Sequence, residues 1–236
     1  MTMLRYFENE QIEEIFPDKF VAVFDMNGLI IDDEPIQLKA TNLAISHLAS
    51  EITELDWISC CVGRKPAEYL TDFCPAPPGV GVQEHIKRLV EDKDRRYCQL
   101  MSELENDIVR PGVHSFINYL NDRGCATAIA TSTTRKGMEL ILGPRGLNLL
   151  HGFDFLICGD QVRRAKPDPE IYLKVRSYFG DSITHVVFED AAVGVTAAKA
   201  AGMICIAVPN KFTMRQNLSG ADLKISSFEP FASVLK

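Results

Sequence analysis

The sequence lacks any apolar run close to the roughly 18 residues that a membrane-spanning helix needs. Its N-terminal stretch, MTMLRYFENEQIEEIF, is acidic and interrupted by polar residues, unlike a secretory signal. Positive charge is also scarce, because 25 Lys and Arg stand against 32 Asp and Glu, for a net charge of −7. A nucleic-acid partner needs a basic face. We therefore expect a soluble, cytoplasmic protein with neither a nucleic-acid nor a membrane partner.

Paired cysteines and clustered histidines are also missing. The seven cysteines are odd in number and form no C-x-x-C pair, which favours a reducing, intracellular compartment. Cys125, Cys158 and Cys205 lie in or beside apolar runs, where a free thiol behaves as a small hydrophobe. No cysteine has a neighbouring helper group that would mark it as a nucleophile. The five histidines form no pair with ligand spacing, so a histidine-based zinc site is not expected.

The sequence does contain a regular alternation of strand-like and helical segments. Short apolar runs predict strands buried on both faces, at 20–24, 126–130, 155–158, 185–189 and 204–208. Amphipathic or small-residue patterns predict helices at 112–123, 135–142, 168–179 and 191–201. The alternation predicts an α/β fold with a doubly wound, Rossmann-like parallel sheet.

One stretch breaks this alternation. Roughly 80 residues with helical character separate the first strand from Arg110, whereas a crossover needs only a dozen or so. Long helices are predicted at 36–49 and 83–105, joined by a turn-rich link at 74–81. The excess predicts a helical cap domain at 34–106, inserted into a core domain of 1–33 and 107–236; the alternative is a helical excursion packed on the core. Residues 1–19 are typical of a short helix of unknown role.

Chemically active side chains follow the predicted strands, and the carboxyl ends of parallel strands are where open sheets bind ligands. They are Asp25 and Asn27, then Thr131, Ser132 and Thr133, then Lys166, then Glu189 and Asp190. Clustered carboxylates repel one another, and a hard divalent cation such as Mg²⁺ offsets that repulsion. Lys166 and Ser132 could hold the oxygens of a substrate phosphate, while Asp25 could attack its phosphorus.

Four motifs in this order resemble the haloacid dehalogenase (HAD) superfamily, in the subgroup with a small helical cap that includes β-phosphoglucomutase and sugar phosphatases. They are FDMNGLIIDDEP (24–35), IATST (129–133), AKPDPEIY (165–172) and VVFEDAAVGVTAAKAAGM (186–203). The resemblance covers nearly the whole chain, and it implies a cap between the first and second motifs, where the insertion is predicted.

The resemblance also implies an aspartyl-phosphate mechanism with Mg²⁺ as cofactor and a small phosphorylated metabolite as partner. Asp25 resembles the nucleophile, and Lys166 resembles, with Ser132, the clamp that holds the substrate phosphate. The implied metal ligands are Asp25, the backbone carbonyl of Asn27, Glu189 and Asp190. The implied phosphate- and substrate-binding residues are Thr131, Ser132, Thr133, Lys166 and, in the cap segment CVGRKPAEYL, Gly63, Arg64 and Lys65. The sequence specifies no oligomeric state.

Asn27 departs from the family pattern, which has at this position the aspartate that serves as general acid and base. An amide can do neither, and lost general acid–base catalysis costs roughly 10²–10⁴-fold in rate. Three origins fit: an engineered Asp→Asn exchange that traps a complex, a natural residue in a slow enzyme or binding protein, and an Asn27-Gly28 pair that deamidates to aspartate.

Two further departures bear on the activity. Gln37 stands where the mutase resemblance places a histidine, which favours a phosphatase, and Asp33 stands where the family usually has Ser or Thr. The function expected is Mg²⁺-dependent hydrolysis of a small phosphomonoester, a sugar or polyol phosphate. The alternatives are a phosphomutase that needs a bisphosphate activator, and a non-catalytic phospho-ligand binding protein.

Overall fold

A computed structural model of the chain describes residues 19–104 and 108–229. The predicted N-terminal helix therefore lies outside the described residues, apart from Lys19. By their contacts the described residues form two compact units. One unit contains the described residues up to Asp32 and those from Ile108 onward, and the other begins at Asp33. Among the described residues, no helix is both long and apolar enough to cross a membrane.

The first unit is built on a six-stranded sheet in which every neighbouring pair is parallel. Its strands are β1 (Val21–Phe24), β2 (Ala126–Ala130), β3 (Phe155–Ile157), β4 (His185–Glu189), β5 (Ile204–Ala207) and β6 (Leu223–Lys224). The strand order is β3-β2-β1-β4-β5-β6, which confirms the doubly wound α/β fold. Of these six strands, β6 alone was not predicted, because two residues are too few to form a recognisable apolar run.

The register of the sheet aligns the ends of its three central strands. Phe24 on β1 lies opposite Ile129 on β2 and Phe188 on β4. The residue that follows each of these three in the sequence therefore lies at the same carboxyl edge of the sheet. This register brings Asp25 level with the residues that end β2 and β4.

The second unit is helical. Its helices are α1 (Glu34–Ile45), α2 (Glu54–Asp56), a π-helical turn (Trp57–Cys61), α3 (Pro66–Phe73) and α4 (Val82–Ser102). The long helices predicted at 36–49 and 83–105 correspond to α1 and α4, although α1 ends four residues earlier than expected. The structure describes no strand between residues 33 and 104. The short segments between 54 and 73 were not predicted, because each is too brief for a helical period to show.

Among the described residues, the first unit also contains α5 (Val113–Asp122), α6 (Arg135–Leu142), α7 (Glu170–Phe179) and α8 (Ala192–Ala200). Each lies within two residues of its predicted bounds. On one face of the sheet, Val21 and Val23 pack with buried residues of α7 and α8. On the other face, Phe24 stacks on Phe188 with ring centroids 5.0 Å apart. Burial on both faces explains why the strands are continuous apolar runs.

All seven cysteines are free, and Cys125, Cys158 and Cys205 are buried, as their apolar neighbours predict. Burial raises the pKa of the Cys158 thiol to about 11, and it raises the pKa of the Cys205 thiol further. These thiols therefore stay protonated at neutral pH and serve as apolar core groups.

Candidate active site

Three buried carboxylates meet at the carboxyl edge of the sheet. Asp25 follows β1, Glu189 is the last residue of β4, and Asp190 comes directly after it. One oxygen from each lies within 4.8 Å of the others, and the three residues are 8%, 1% and 4% exposed, respectively. The Asp25 N–H donates to the Phe188 carbonyl oxygen over 3.1 Å, which fixes the first carboxylate against β4. The structure thus brings together the acidic residues singled out in the sequence.

Lys166 bridges two of these carboxylates, those of Asp25 and Glu189. Its Nζ donates to Asp25 Oδ1 over 2.5 Å, to Glu189 Oε1 over 2.7 Å and to the Ala130 carbonyl oxygen over 3.0 Å. These three bonds use all three N–H groups of the ammonium. The side chain is only 5% exposed, so its charge is compensated by these carboxylates rather than by solvent.

The buried charges shift one another's titration. Burial is the main cause that raises the pKa of Asp25 to about 7, with a further rise from Glu189 and an opposing effect from Lys166. Burial works to lower the pKa of Lys166, but the charges of Asp25 and Glu189 outweigh it, so the net shift is upward. A divalent cation beside Asp25 would favour its ionised form, which is the nucleophilic form.

Two residues that the sequence reasoning missed contact Glu189: Tyr172 holds it with a hydrogen bond, and Gly194 leaves room for its carboxyl group. The hydroxyl of Tyr172, which is fully buried, donates to Glu189 Oε1, the same oxygen that Lys166 binds. Burial, followed by the charge of Glu189, raises the pKa of Tyr172, so this phenol remains a donor. A Cβ atom on Gly194 would lie 1.9 Å from the Glu189 carboxyl group. Tyr172 and Glu189 are 17 residues apart, and no spacing signal in the sequence connects them.

Asn27 faces the hydroxyl-bearing segment after β2. Thr133 Oγ1 donates to Asn27 Oδ1 over 2.7 Å, and the Thr133 N–H donates to Thr131 Oγ1 over 3.1 Å. Thr131 is buried, whereas Ser132 is exposed. The side-chain oxygen of an aspartate would accept the same bond from Thr133, so Asn27 occupies this position as a near isostere.

A hydrogen bond restrains the backbone nitrogen of Gly28, which is the atom that would start the deamidation of Asn27. Deamidation begins when the backbone nitrogen after an asparagine attacks the side-chain carbonyl carbon of that asparagine. The Gly28 N–H donates to the Ile31 carbonyl oxygen over 2.8 Å. We therefore expect Asn27 to deamidate more slowly in the folded protein than in the same chain unfolded in urea. Peptide mass mapping over time checks this, and equal rates in the two states would contradict it.

Gly63, Arg64 and Lys65, which the resemblance assigns to substrate binding, lie in the second unit, at the turn that leads into α3. Arg64 is held there, because its Nη2 donates to Asp72 Oδ2 over 2.8 Å and its Nη1 to the Cys60 carbonyl oxygen over 2.8 Å. Lys65 is exposed. A role of these residues toward substrate stays a prediction.

Asp33 and Gln37 belong to a buried polar network in the second unit. Asp33 Oδ2 accepts from Tyr97 Oη over 2.7 Å and from Gln37 Nε2 over 2.9 Å. Gln37 Oε1 accepts from Nζ of Lys93, which is 5% exposed, over 2.5 Å. Tyr97 and Gln37 each need a hydrogen-bond acceptor in this network, and the Asp33 carboxylate supplies it. This need explains structurally why an aspartate stands at position 33. Lys93 and Tyr97, one turn apart on α4, were not singled out in the sequence.

Comparison with known proteins places the chain among hydrolases. Residues 22–208 match a family model described as haloacid dehalogenase-like hydrolase. A phosphorylated carbohydrates phosphatase of Thermotoga maritima is 34% identical over 184 residues, which cover 77% of this chain and 81% of that protein. Hexitol phosphatase B of Escherichia coli is 28% identical over 210 residues, which cover 87% and 91% of the two chains.

A solved structure shows the same fold. It is a mutant of the protein CbbY from Rhodobacter sphaeroides, in which one aspartate is changed to asparagine, in complex with xylulose-(1,5)bisphosphate. The TM-score is 0.76 and the identity 25%, with 89% of this chain and 95% of that chain covered.

Proposed function

This chain belongs to the haloacid dehalogenase-like hydrolase family, and on that premise we propose that it is a Mg²⁺-dependent phosphatase of sugar or polyol phosphates. The family predicted from the four motifs is thereby confirmed. The proposed reaction proceeds through an aspartyl-phosphate on Asp25. The observation that carries the proposal is the buried cluster of Asp25, Glu189 and Asp190, in which Lys166 pairs with Asp25 and Glu189.

The donor set fits a magnesium ion. Three carboxylates buried within 4.8 Å of one another carry more negative charge than Lys166 alone offsets, and carboxylate oxygens are ligands that Mg²⁺ prefers. Asp25, Glu189, Asp190 and the backbone carbonyl of Asn27 would hold it. When bound, the ion supplies positive charge that offsets the negative charge of the phosphate oxygens.

The chain's own groups support a two-step transfer. In the first step an Asp25 carboxylate oxygen bonds to phosphorus while the bond from phosphorus to the leaving oxygen breaks. Lys166 orients Asp25 through the 2.5 Å contact and keeps its positive charge at the site. In the second step the oxygen of a water molecule bonds to the same phosphorus while the bond from phosphorus to the Asp25 oxygen breaks, which releases inorganic phosphate and restores the Asp25 carboxylate. Thr131, Ser132 and Thr133 follow β2 at the same edge, where their hydroxyl and N–H groups suit phosphate oxygens.

The proton transfers in this scheme need a group that Asn27 does not supply. The leaving alkoxide must gain a proton in the first step, and the attacking water must lose one in the second. The amide of Asn27 has the shape of the missing aspartate carboxyl group and accepts the hydrogen bond from Thr133 that an aspartate would accept. It has no titratable proton, however. We therefore expect this form of the chain to bind substrate normally and to turn it over slowly.

The substrate class is supported by relatives whose names specify phosphorylated carbohydrates and hexitols. The test is phosphate release, with Mg²⁺, from a panel of sugar, polyol and nucleotide monophosphates, using Asn27→Asp beside the chain as given. We expect the highest kcat/KM of Asn27→Asp on a sugar or polyol phosphate. A nucleotide as best substrate would overturn the substrate class.

A second candidate function, a non-catalytic phospho-ligand binding protein, is favoured by the presence of Asn27 itself. Tight binding of a panel member without turnover, even in Asn27→Asp, would select this candidate. Interconversion of isomers without net phosphate release, dependent on a bisphosphate, would select the phosphomutase instead.

A further inference from the structure

The side chain of Asn210, on the loop after β5, connects two parts of the candidate active site. Its Nδ2 donates to the Gly28 carbonyl oxygen over 3.0 Å and to Asp190 Oδ2 over 3.0 Å. Gly28 lies in the loop that carries Asp25, and Asp190 lies beyond the end of β4. One amide group therefore bonds both the nucleophile loop and an acidic residue of the cluster.

The orientation of this amide is fixed by its own loop. Asn210 Oδ1 accepts from the backbone N–H of Phe212 over 2.7 Å and from that of Thr213 over 3.1 Å. A flipped amide would place N–H groups against these two N–H donors and lose both bonds. The carbonyl side of the amide must face the loop, so the NH₂ side must face Gly28 and Asp190.

The surroundings of Gly28 leave little room for another arrangement. Its carbonyl oxygen also accepts from Arg110 Nη1 over 2.8 Å. At its φ of +78°, a Cβ atom would lie 2.4 Å from Asp190 Oδ2 and 2.9 Å from Asn210 Nδ2. Glycine is needed here both for the backbone conformation and for the close approach of the Asp190–Asn210 pair.

We propose that Asn210 is a positioning residue for the metal site, which sets the rotation of the Asp190 carboxylate and its separation from the nucleophile loop. The role rests on the proposed function, because it requires Asp190 to be a Mg²⁺ ligand. Ligating carboxylates are commonly held by such outer hydrogen bonds, and loss of one typically costs 10–100-fold in metal affinity or activity. Asn210 acts through Asp190 and touches no substrate in this proposal.

The test is the Mg²⁺ dissociation constant of the purified full chain, measured by titration calorimetry without substrate. In Asn210→Ser, the hydroxyl can still accept from the loop N–H groups but does not reach Gly28 and Asp190. Asn217→Ser makes the matched exchange further along the segment, where Asn217 Oδ1 accepts from the Ser219 N–H within its own turn.

We expect Asn210→Ser to raise the dissociation constant about 10–100-fold, with Asn217→Ser close to the unaltered protein. Equal Mg²⁺ affinity in Asn210→Ser, or an equal loss in Asn217→Ser, would overturn the positioning role. Absence of Mg²⁺ binding in the unaltered protein would instead overturn the metal dependence in the proposed function, so the two failures are distinguishable.

Discussion

Asn27→Asp is expected to raise the rate of phosphate release from a sugar or polyol phosphate by about 10²–10⁴-fold. The exchange restores a carboxyl group that can protonate the leaving oxygen and then accept a proton from water. Thr133 Oγ1, which donates to Asn27 Oδ1 over 2.7 Å, can hold the new carboxylate in the same position. Steady-state assays of released phosphate with Mg²⁺ measure the change.

Asn217→Asp provides the matched control for this gain, because it adds the same charge on the exposed turn that ends at Ser219. It should leave the rate unchanged. An Asn27→Asp variant no faster than the unaltered chain would contradict the assignment of residue 27 as the missing acid and base.

Lys166→Met is expected to lower the free energy of unfolding by about 3–5 kcal/mol, because it leaves Asp25 and Glu189 buried without their shared cation. For a chain of this size the thermal midpoint should fall by roughly 6–20 °C. Saturating Mg²⁺ should restore part of the loss, since a bound cation offsets the same carboxylates. Thermal unfolding with and without Mg²⁺ measures both effects.

Lys174→Met is the control for this loss of stability. Lys174 is 44% exposed on α7, where its Nζ lies 3.8 Å from Glu170 Oε1 and donates to the Gln161 carbonyl oxygen. Ion pairs of this kind contribute at most about 1 kcal/mol. Equal midpoints for the two variants would contradict the view that Lys166 is the central charge of the site.

The fold could be predicted from the sequence because the strands from β1 to β5 are short apolar runs bounded by polar residues. The run at 126–130, for example, is β2 without change. The segments that escaped prediction are those with too few residues to show a period, such as β6 and α2. Their positions depend on tertiary contacts rather than on local pattern.

The candidate site could be predicted only in part. Asp25, Lys166 and Glu189 were found because they follow strands that end at one edge of a parallel sheet. Tyr172 and Asn210 were missed, since each reaches the cluster from a helix or loop distant in sequence, 17 and 20 residues from its carboxylate partner. Such contacts depend on side-chain packing between elements, which spacing alone does not encode.

The most direct test of the central claim is whether Asp25 becomes phosphorylated. 4-Nitrophenyl phosphate suits the unaltered chain, because its leaving phenolate needs no proton from residue 27. Hydrolysis of the aspartyl-phosphate still lacks a general base, so the intermediate should form readily and break down slowly. Acid quenching after mixing with this compound and Mg²⁺, followed by peptide mass spectrometry, should find one phosphoryl group on Asp25. Asp25→Ala should show none. A chain that releases nitrophenolate without phosphoryl transfer to Asp25, or that carries the group on another residue, would contradict the account.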